Sequence, residues 1–403
     1  MVNFRRAAVF LVALVPFAAA SPFQRRAVAG TPIQDQYIIT LKEDLTDETA
    51  TTHLAWVENV HKRSIGKRSL KGVSAEYNFG FGGFRGYAGE FDDATIEEIR
   101  NSPEVEFVEP NQIMTYQAVA SQEQAEWGLG TLSSRTPGSR LYNYDSSAGK
   151  GGFAYIIDTG LYVEHSEFEG RTELGKNVLE ADGKPFVDTD GHGSHVAGTI
   201  GGKTFGVAKE ATLVSVKIMH NGITDSSNVL TGLEWAAADI VEKGRVGKAA
   251  INMSIGGGRM FSINRAVTSA FRQGILVVAA SGNTDDLASS SSPGSTYEAL
   301  TVGAIDEEWN EAVFSNWGPT VDILAPGVGV VSVGITGPNA RQTLDGTSMA
   351  APHVTGLAVY LMVAENITDP GALTTRIKEL ATKNQVKNLK FGSPNLIAYN
   401  GIA

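Results

Sequence analysis

The chain has 403 residues, 42% of them hydrophobic and 19% charged, a globular composition long enough for two domains. Its formal charge of −11, with 33 Lys and Arg against 44 Asp and Glu and no basic stripe, argues against a nucleic-acid partner, whose phosphates select clustered cations. The absence of cysteine excludes disulfides, thiolate metal sites and a cysteine nucleophile.

The first segment reads as an export signal. Arg5 and Arg6 precede an apolar run over 7–20 that ends in Ala18-Ala19-Ala20, a small-residue cleavage pattern. The run is shorter than the roughly 20 apolar residues a membrane-spanning helix needs. Cleavage after Ala20 is therefore expected, with no stable membrane anchor; a retained N-terminal anchor is the alternative.

Residues 21–117 have a mixed pattern. Strand-like alternation at 36–41 is followed by an amphipathic helix at 47–61, strands at 77–81 and 86–91, a second helix at 94–102 and a strand at 105–108. The order β-α-β-β-α-β predicts a small α+β unit of the ferredoxin-like kind over about 36–115, with a modest core.

From 118 to 403 the rhythm changes. Short, almost wholly apolar runs recur at 153–157, 212–219, 249–255, 275–280, 300–305 and 321–324, with amphipathic helices at 227–242 and 262–273 between them. Such runs predict an α/β domain of three layers, a mainly parallel central sheet covered on both faces. Working residues then belong at the carboxyl ends of strands.

Three glycine-dense motifs fall at such places. In Ile156-Ile157-Asp158-Thr159-Gly160, the carboxylate of Asp158 ends a buried strand, where it needs a partner or else only starts a turn. In Asp190-Gly191-His192-Gly193-Ser194-His195, glycines on either side of His192 leave room for close approach. A metal pair of His192 and His195 is the rival reading, without a third ligand. In Gly346-Thr347-Ser348-Met349-Ala350-Ala351-Pro352, Ser348 sits at the mouth of an apolar helix, with Pro352 expected in its first turn. A serine nucleophile needs a base, and the base needs an orienting group. One Asp, one His and one Ser are present in that chain order, which is the order subtilisins use.

The three motifs, with the strands between them, resemble the subtilisin superfamily of serine endopeptidases, in particular the proteinase K-like branch of secreted fungal enzymes. The segment before them, including Val105-Glu106-Phe107-Val108-Glu109-Pro110-Asn111, resembles that family's inhibitory propeptide. The resemblance implies a subtilisin-like fold for 118–403 and a triad of Asp158, His192 and Ser348. Asn283, in Ala279-Ala280-Ser281-Gly282-Asn283, matches the side-chain donor of the oxyanion hole. Ser254, Ile255 and Gly256 match a segment that pairs with extended substrate. Gly256 with Ala280, Ser281 and Gly282 would line an uncharged first specificity pocket, implying broad action with preference for large apolar P1 residues.

The resemblance further implies self-cleavage between Gln117 and Ala118, within about three residues. No cofactor is expected for the chemistry; a structural calcium ion is implied at the Asp322 carboxylate with carbonyls of Tyr297 and Ala299. Asn366-Ile367-Thr368 is an N-glycosylation sequon expected to be used, while Asn252-Met253-Ser254 lies in a buried strand and should stay bare. Expected partners are protein and peptide substrates and the chain's own propeptide as intramolecular inhibitor, around a monomer. The expected location is extracellular, with the vacuole as alternative. A silent binding protein of the same fold, or a chain whose main product is a free inhibitory propeptide, are the rivals from other classes. Neither has a chemical need for Asn283.

Overall fold

A computed structural model describes residues 32–64, 70–80, 83–112 and 119–402. The expected leader and the Gln117–Ala118 junction lie outside the described residues. The chain divides into two compact units, one ending at Tyr116 and the other beginning at Gln117.

In the first unit, β1 (Pro32–Leu41), α1 (Asp47–Arg63), β2 (Gly72–Asn78), β3 (Arg85–Glu90), α2 (Asp93–Arg100) and β4 (Val105–Gln112) follow the expected order. The strands form one antiparallel sheet in the order β2-β3-β1-β4. Thr46 and Asp92 begin the two helices by accepting the Thr49 and Thr95 N–H groups, which have no partner within a helix's first turn. Ala50, His53, Val57 and Val60, spaced three and four apart, turn one face of α1 into a core with Ile39, Tyr87, Phe91 and Ile99. The second strand lies upstream of its expected position, at 72–78 instead of 77–81. Its register is set by pairing with β3, from Gly72 opposite Glu90 to Asn78 opposite Arg85, and this leaves the aromatic Phe79 exposed beyond the strand end.

The second unit opens with β5 (Val119–Gln122), α3 (Trp127–Leu132), β6 (Tyr142–Asp145), β7 (Phe153–Asp158), β8 (Thr172–Asn177), α4 (His192–Gly201), β9 (Thr212–Lys217) and α5 (Ser226–Glu242). It continues through β10 (Ala249–Met253), β11 (Gly257–Gly258), α6 (Phe261–Arg272), β12 (Leu276–Ala280), β13 (Ser291–Ser292), β14 (Leu300–Ile305) and β15 (Ile323–Pro326). The last elements are β16 (Val330–Val333), β17 (Arg341–Leu344), α7 (Thr347–Ala364), α8 (Pro370–Leu380), β18 (Thr382–Lys383) and β19 (Leu396–Ile397).

Nine strands form one sheet in the order β18-β19-β15-β14-β12-β10-β7-β9-β8, parallel except for the short β18–β19 pair at one edge. Alternate residues of β7 serve opposite faces. Ala154 and Ile156 join a core with α4 and α7, whereas Tyr155 and Ile157 join one with α5 and α6. Both faces are thus covered, the three-layer α/β arrangement that continuous apolar runs predict. The strand β8 escapes that logic: Thr-Glu-Leu-Gly-Lys-Asn is polar because an edge strand has a neighbour on one side only.

Candidate active site

The sheet order places β7, β10 and β12 side by side, so their carboxyl ends deliver three segments to one place. Asp158 is the last residue of β7 and is fully buried. Its Oδ1 accepts the Thr159 N–H at 2.8 Å and lies 2.8 Å from His192 Nδ1. A carboxylate can only accept here, so Nδ1 carries the proton and Nε2 is left as the basic nitrogen. Burial of the ring favours neutral imidazole. The Asp158 carboxylate, with Asp188 and Asp190 behind it, outweighs that and raises the His192 pKa above its ordinary value.

His192 is the first residue of α4, and its position is set by a residue the sequence patterns did not single out. Asp188 Oδ1 accepts the Asp190 and Gly191 N–H groups at 3.0 and 2.9 Å and the Thr159 hydroxyl at 2.9 Å. Its Oδ2 accepts the N–H and hydroxyl of Ser194 at 2.9 and 2.7 Å. One buried carboxylate thereby joins the end of β7 to the start of α4. Gly193 is required beside it, because a Cβ there would lie 2.3 Å from the Gly160 carbonyl oxygen. The signal available in the sequence was Asp188-Thr189-Asp190, a run of side-chain acceptors just before a helix start whose cap position is a glycine.

His195 takes no part. It is fully buried, its Nε2 lies 3.0 Å from the Val330 carbonyl oxygen, and burial lowers its pKa to about 4. The His192–His195 metal reading lacks, among the described residues, a cluster of three ligating side chains.

Ser348 is the second residue of α7, where backbone N–H groups have no helical acceptor. The expectation that Pro352 falls in the first turn is incorrect: α7 begins at Thr347, and Pro352 lies inside the helix. Proline cannot donate to the carbonyl four residues back, which is that of Ser348. The Ser254 hydroxyl replaces the lost donor, at 2.8 Å from Ser348 O. In return the Ser348 hydroxyl donates to the Ser254 carbonyl at 3.0 Å. Among the described residues no hydrogen bond joins Ser348 to His192.

Asn283 follows β12. Its Oδ1 accepts both the N–H and the hydroxyl of Thr347, each at 2.8 Å, which turns Nδ2 the other way. A Cβ on Gly346 would sit 3.4 Å from Asn283 Nδ2 and 3.5 Å from Ser348 N, so the two donors border one spot that this glycine, with φ of +148°, keeps open. Asn316, also missed by the motif reading, braces the same loop. Its Oδ1 accepts the N–H groups of Thr284 and Asp286 and the Thr284 hydroxyl, and its N–H donates to the Gly282 carbonyl at 2.9 Å.

A cleft of about 490 Å³ opens beside these donors, lined by Ile255, Gly256, Gly257, Gly258, Ala280, Gly282, Asn283 and Ser348 among others, with no charged side chain. Of the anticipated substrate-binding residues, Ile255, Gly256, Ala280 and Gly282 line it. Ser281 is fully buried with its hydroxyl on the Asn316 carbonyl, and Ser254 meets the nucleophile segment instead.

The anticipated calcium residues lie apart from this cleft. Tyr297, Ala299 and Asp322 line a separate cavity of about 650 Å³. Asp322 Oδ2 accepts the Thr301 N–H at 3.0 Å, and Oδ1 lies 3.0 Å from the Lys378 ammonium. Both carboxylate oxygens are engaged and their charge is matched, so these residues do not fit a divalent cation. Asn366 is exposed in the turn between α7 and α8 with φ of +52°, whereas Asn252 is fully buried, bonded to Ser254 and Thr355.

Comparison with known proteins agrees with this geometry. Residues 149–393 match the model of the subtilase family of peptidases, and residues 36–117 match that of the peptidase inhibitor I9 family. The chain is 48% identical to alkaline protease 1 of Aspergillus clavatus and 48% identical to the subtilisin-like proteinase Mp1 of Magnaporthiopsis poae, in each case over the whole of both chains. The crystal structure of a cold-adapted subtilisin-like serine proteinase superposes with a TM-score of 0.63 at 35% identity, covering 69% of this chain and 99% of the other. Fold and site together define a serine endopeptidase made with an inhibitory propeptide. The chain belongs to the subtilase family.

Proposed function

We propose that Asp158, His192 and Ser348 form the catalytic triad of a secreted endopeptidase of broad specificity, made as a self-processing zymogen. The observation that carries the reading is the hydrogen bond from His192 Nδ1 to the fully buried Asp158 carboxylate, taken with a cleft whose lining includes Ser348 and Asn283. Rotation about the Ser348 Cα–Cβ bond releases its hydroxyl from the Ser254 carbonyl toward His192 Nε2. His192 takes the proton as Ser348 Oγ attacks the peptide carbonyl carbon. Negative charge then develops on the substrate oxygen, where Asn283 Nδ2 and the Ser348 N–H receive it. His192 passes its proton to the leaving amine, leaving an acyl-enzyme. Water, deprotonated by His192, repeats the attack and releases the acid. Asp158 orients His192 and stabilises the imidazolium.

The uncharged, glycine-rich wall formed by Gly256–Gly258, Ala280 and Gly282 suits large apolar P1 side chains, with Ser254–Gly256 pairing the substrate as an added strand. Export after cleavage at Ala20, maturation between Gln117 and Ala118, a glycan on Asn366 and a monomeric mature enzyme complete the proposal. A fluorophosphonate serine reagent, read by intact mass and N-terminal sequencing, tests it. Wild-type protein should take up one label and begin near Ala118, and Ser348→Ala should take up none and keep its propeptide. Labelling of the Ser348→Ala chain would overturn the assignment.

A further inference from the structure

We infer that the Lys378 ammonium is the resident cation of the Asp322 site, and that this enzyme does without a metal ion there. The inference stands apart from the catalytic reading, since the site shares no lining residue with the cleft and concerns stability alone. Asp322 splints the start of β14: its N–H donates to the Thr301 carbonyl at 2.8 Å and its Oδ2 accepts the Thr301 N–H at 3.0 Å. The segment leading into that strand contains Tyr297, which is exposed, and Ala299, which is buried. A charge of −1 on this splint calls for a counter-charge, because Asp322 is only about one-fifth exposed.

Lys378 supplies it from α8. Its neighbour Ile377 is fully buried, as is Leu373 one turn earlier, so the helix is pinned and the lysine stem leaves from a fixed point. The Asp369 side chain caps the helix by accepting the Ala372 N–H at 2.7 Å, which holds the other end. Lys378 lies in the last turn, where the helix's exposed carbonyls favour a cation. The ammonium reaches Asp322 Oδ1 at 3.0 Å. A divalent ion would need several oxygen ligands at once. Here one carboxylate oxygen is held by a backbone N–H, the other by an ammonium, and a second positive charge would meet repulsion from the first.

The test uses the full chain in a Ser348→Ala background, which keeps self-digestion out of the melting curve. Melting is compared in millimolar calcium and in EDTA. The parent and Asp322→Asn should show the same difference between the two buffers. Lys378→Met should melt lower by about 2–4 °C in EDTA and regain the loss in calcium, and Lys378→Met with Asp322→Asn should regain nothing. A calcium response of the parent that disappears in Asp322→Asn would overturn the inference. So would a Lys378→Met chain indifferent to calcium. Should Lys378→Met not fold, calorimetric titration of calcium into the parent and Asp322→Asn decides the matter: equal binding upholds the inference, and one site fewer in Asp322→Asn overturns it.

Discussion

Thr347 holds Asn283 by two hydrogen bonds to a single oxygen, N–H and hydroxyl each 2.8 Å from Oδ1, so the amide cannot flip without losing both. In the proposed mechanism, the residue preceding the nucleophile therefore aims the donor that faces the developing oxyanion. Asn283→Leu should reduce kcat by roughly 10²–10³, the known cost of losing such a donor in a subtilisin, with KM little changed. Thr347→Val keeps the N–H bond and removes the hydroxyl, and should cost about tenfold in kcat, the worth of one ordinary hydrogen bond. Steady-state kinetics on a peptide substrate separates the two effects.

Activity should fall on the acid side as His192 takes a proton. Its pKa is raised by Asp158, Asp188 and Asp190 against the effect of burial, so the kcat/KM profile should turn down at a higher pH than an unperturbed imidazole would give. Asp158→Asn removes the nearest of these charges. It should move the acid limb to lower pH while lowering kcat by about 10⁴, because the tautomer is no longer fixed. An acid limb that stayed in place would separate His192 from Asp158.

Stability should also decline in acid, for a different reason. His195 and His353 are buried and neutral, each with a pKa lowered to about 4. Unfolded, both bind protons below their ordinary value near 6.5, whereas the folded protein refuses them until the pH approaches 4. The stability present above pH 6.5 is therefore lost as pH falls through that window, by roughly 2.7 kcal/mol per pH unit for the pair. Chemical denaturation of Ser348→Ala across the window measures the slope, and His353→Gln should reduce it by roughly 1.4 kcal/mol per pH unit.

The reciprocal bonds between Ser254 and Ser348 give a double-mutant test. Ser254→Ala leaves the Ser348 carbonyl without the donor that replaces the missing Pro352 N–H, and should cost about 1–2 kcal/mol. Pro352→Ala restores a helical donor to that carbonyl. The two changes together should therefore cost less than Ser254→Ala alone, and simple additivity would contradict this account of Pro352.

Most of the sheet was legible because buried parallel strands must be apolar on both sides, so 153–157, 249–255 and 300–305 announced themselves by composition. The proposed triad of Asp158, His192 and Ser348 drew attention in the sequence because a nucleophilic mechanism demands those residue types together, and Asn283 through the family resemblance alone. What escaped notice shared one property, which is that its meaning depends on a partner far along the chain. Asp188 is an ordinary loop acid until Thr159 and Ser194 surround it. Pro352 reads as a first-turn proline until Ser254, nearly a hundred positions earlier, supplies its missing bond. Likewise β8 is polar because, among the described residues, no strand pairs with its outer edge, and Lys378 is one more surface cation until α8, packed on α7, brings it to Asp322.

A second lysine shows what such tethering achieves near the cleft. The Lys390 ammonium donates to Asp285 Oδ1 at 2.7 Å and lies within 2.8–3.2 Å of the carbonyl oxygens of Ala312, Val313 and Ser315, one residue from the Asn316 that braces Gly282 and Thr284. An ion in such an oxygen cage would be in equilibrium with the surrounding medium. A charge carried on the chain has an effective concentration set by its own stem, unaffected by dilution or by sequestrants that strip free ions. The wall of the cleft can thus keep its shape in a medium whose ionic composition varies.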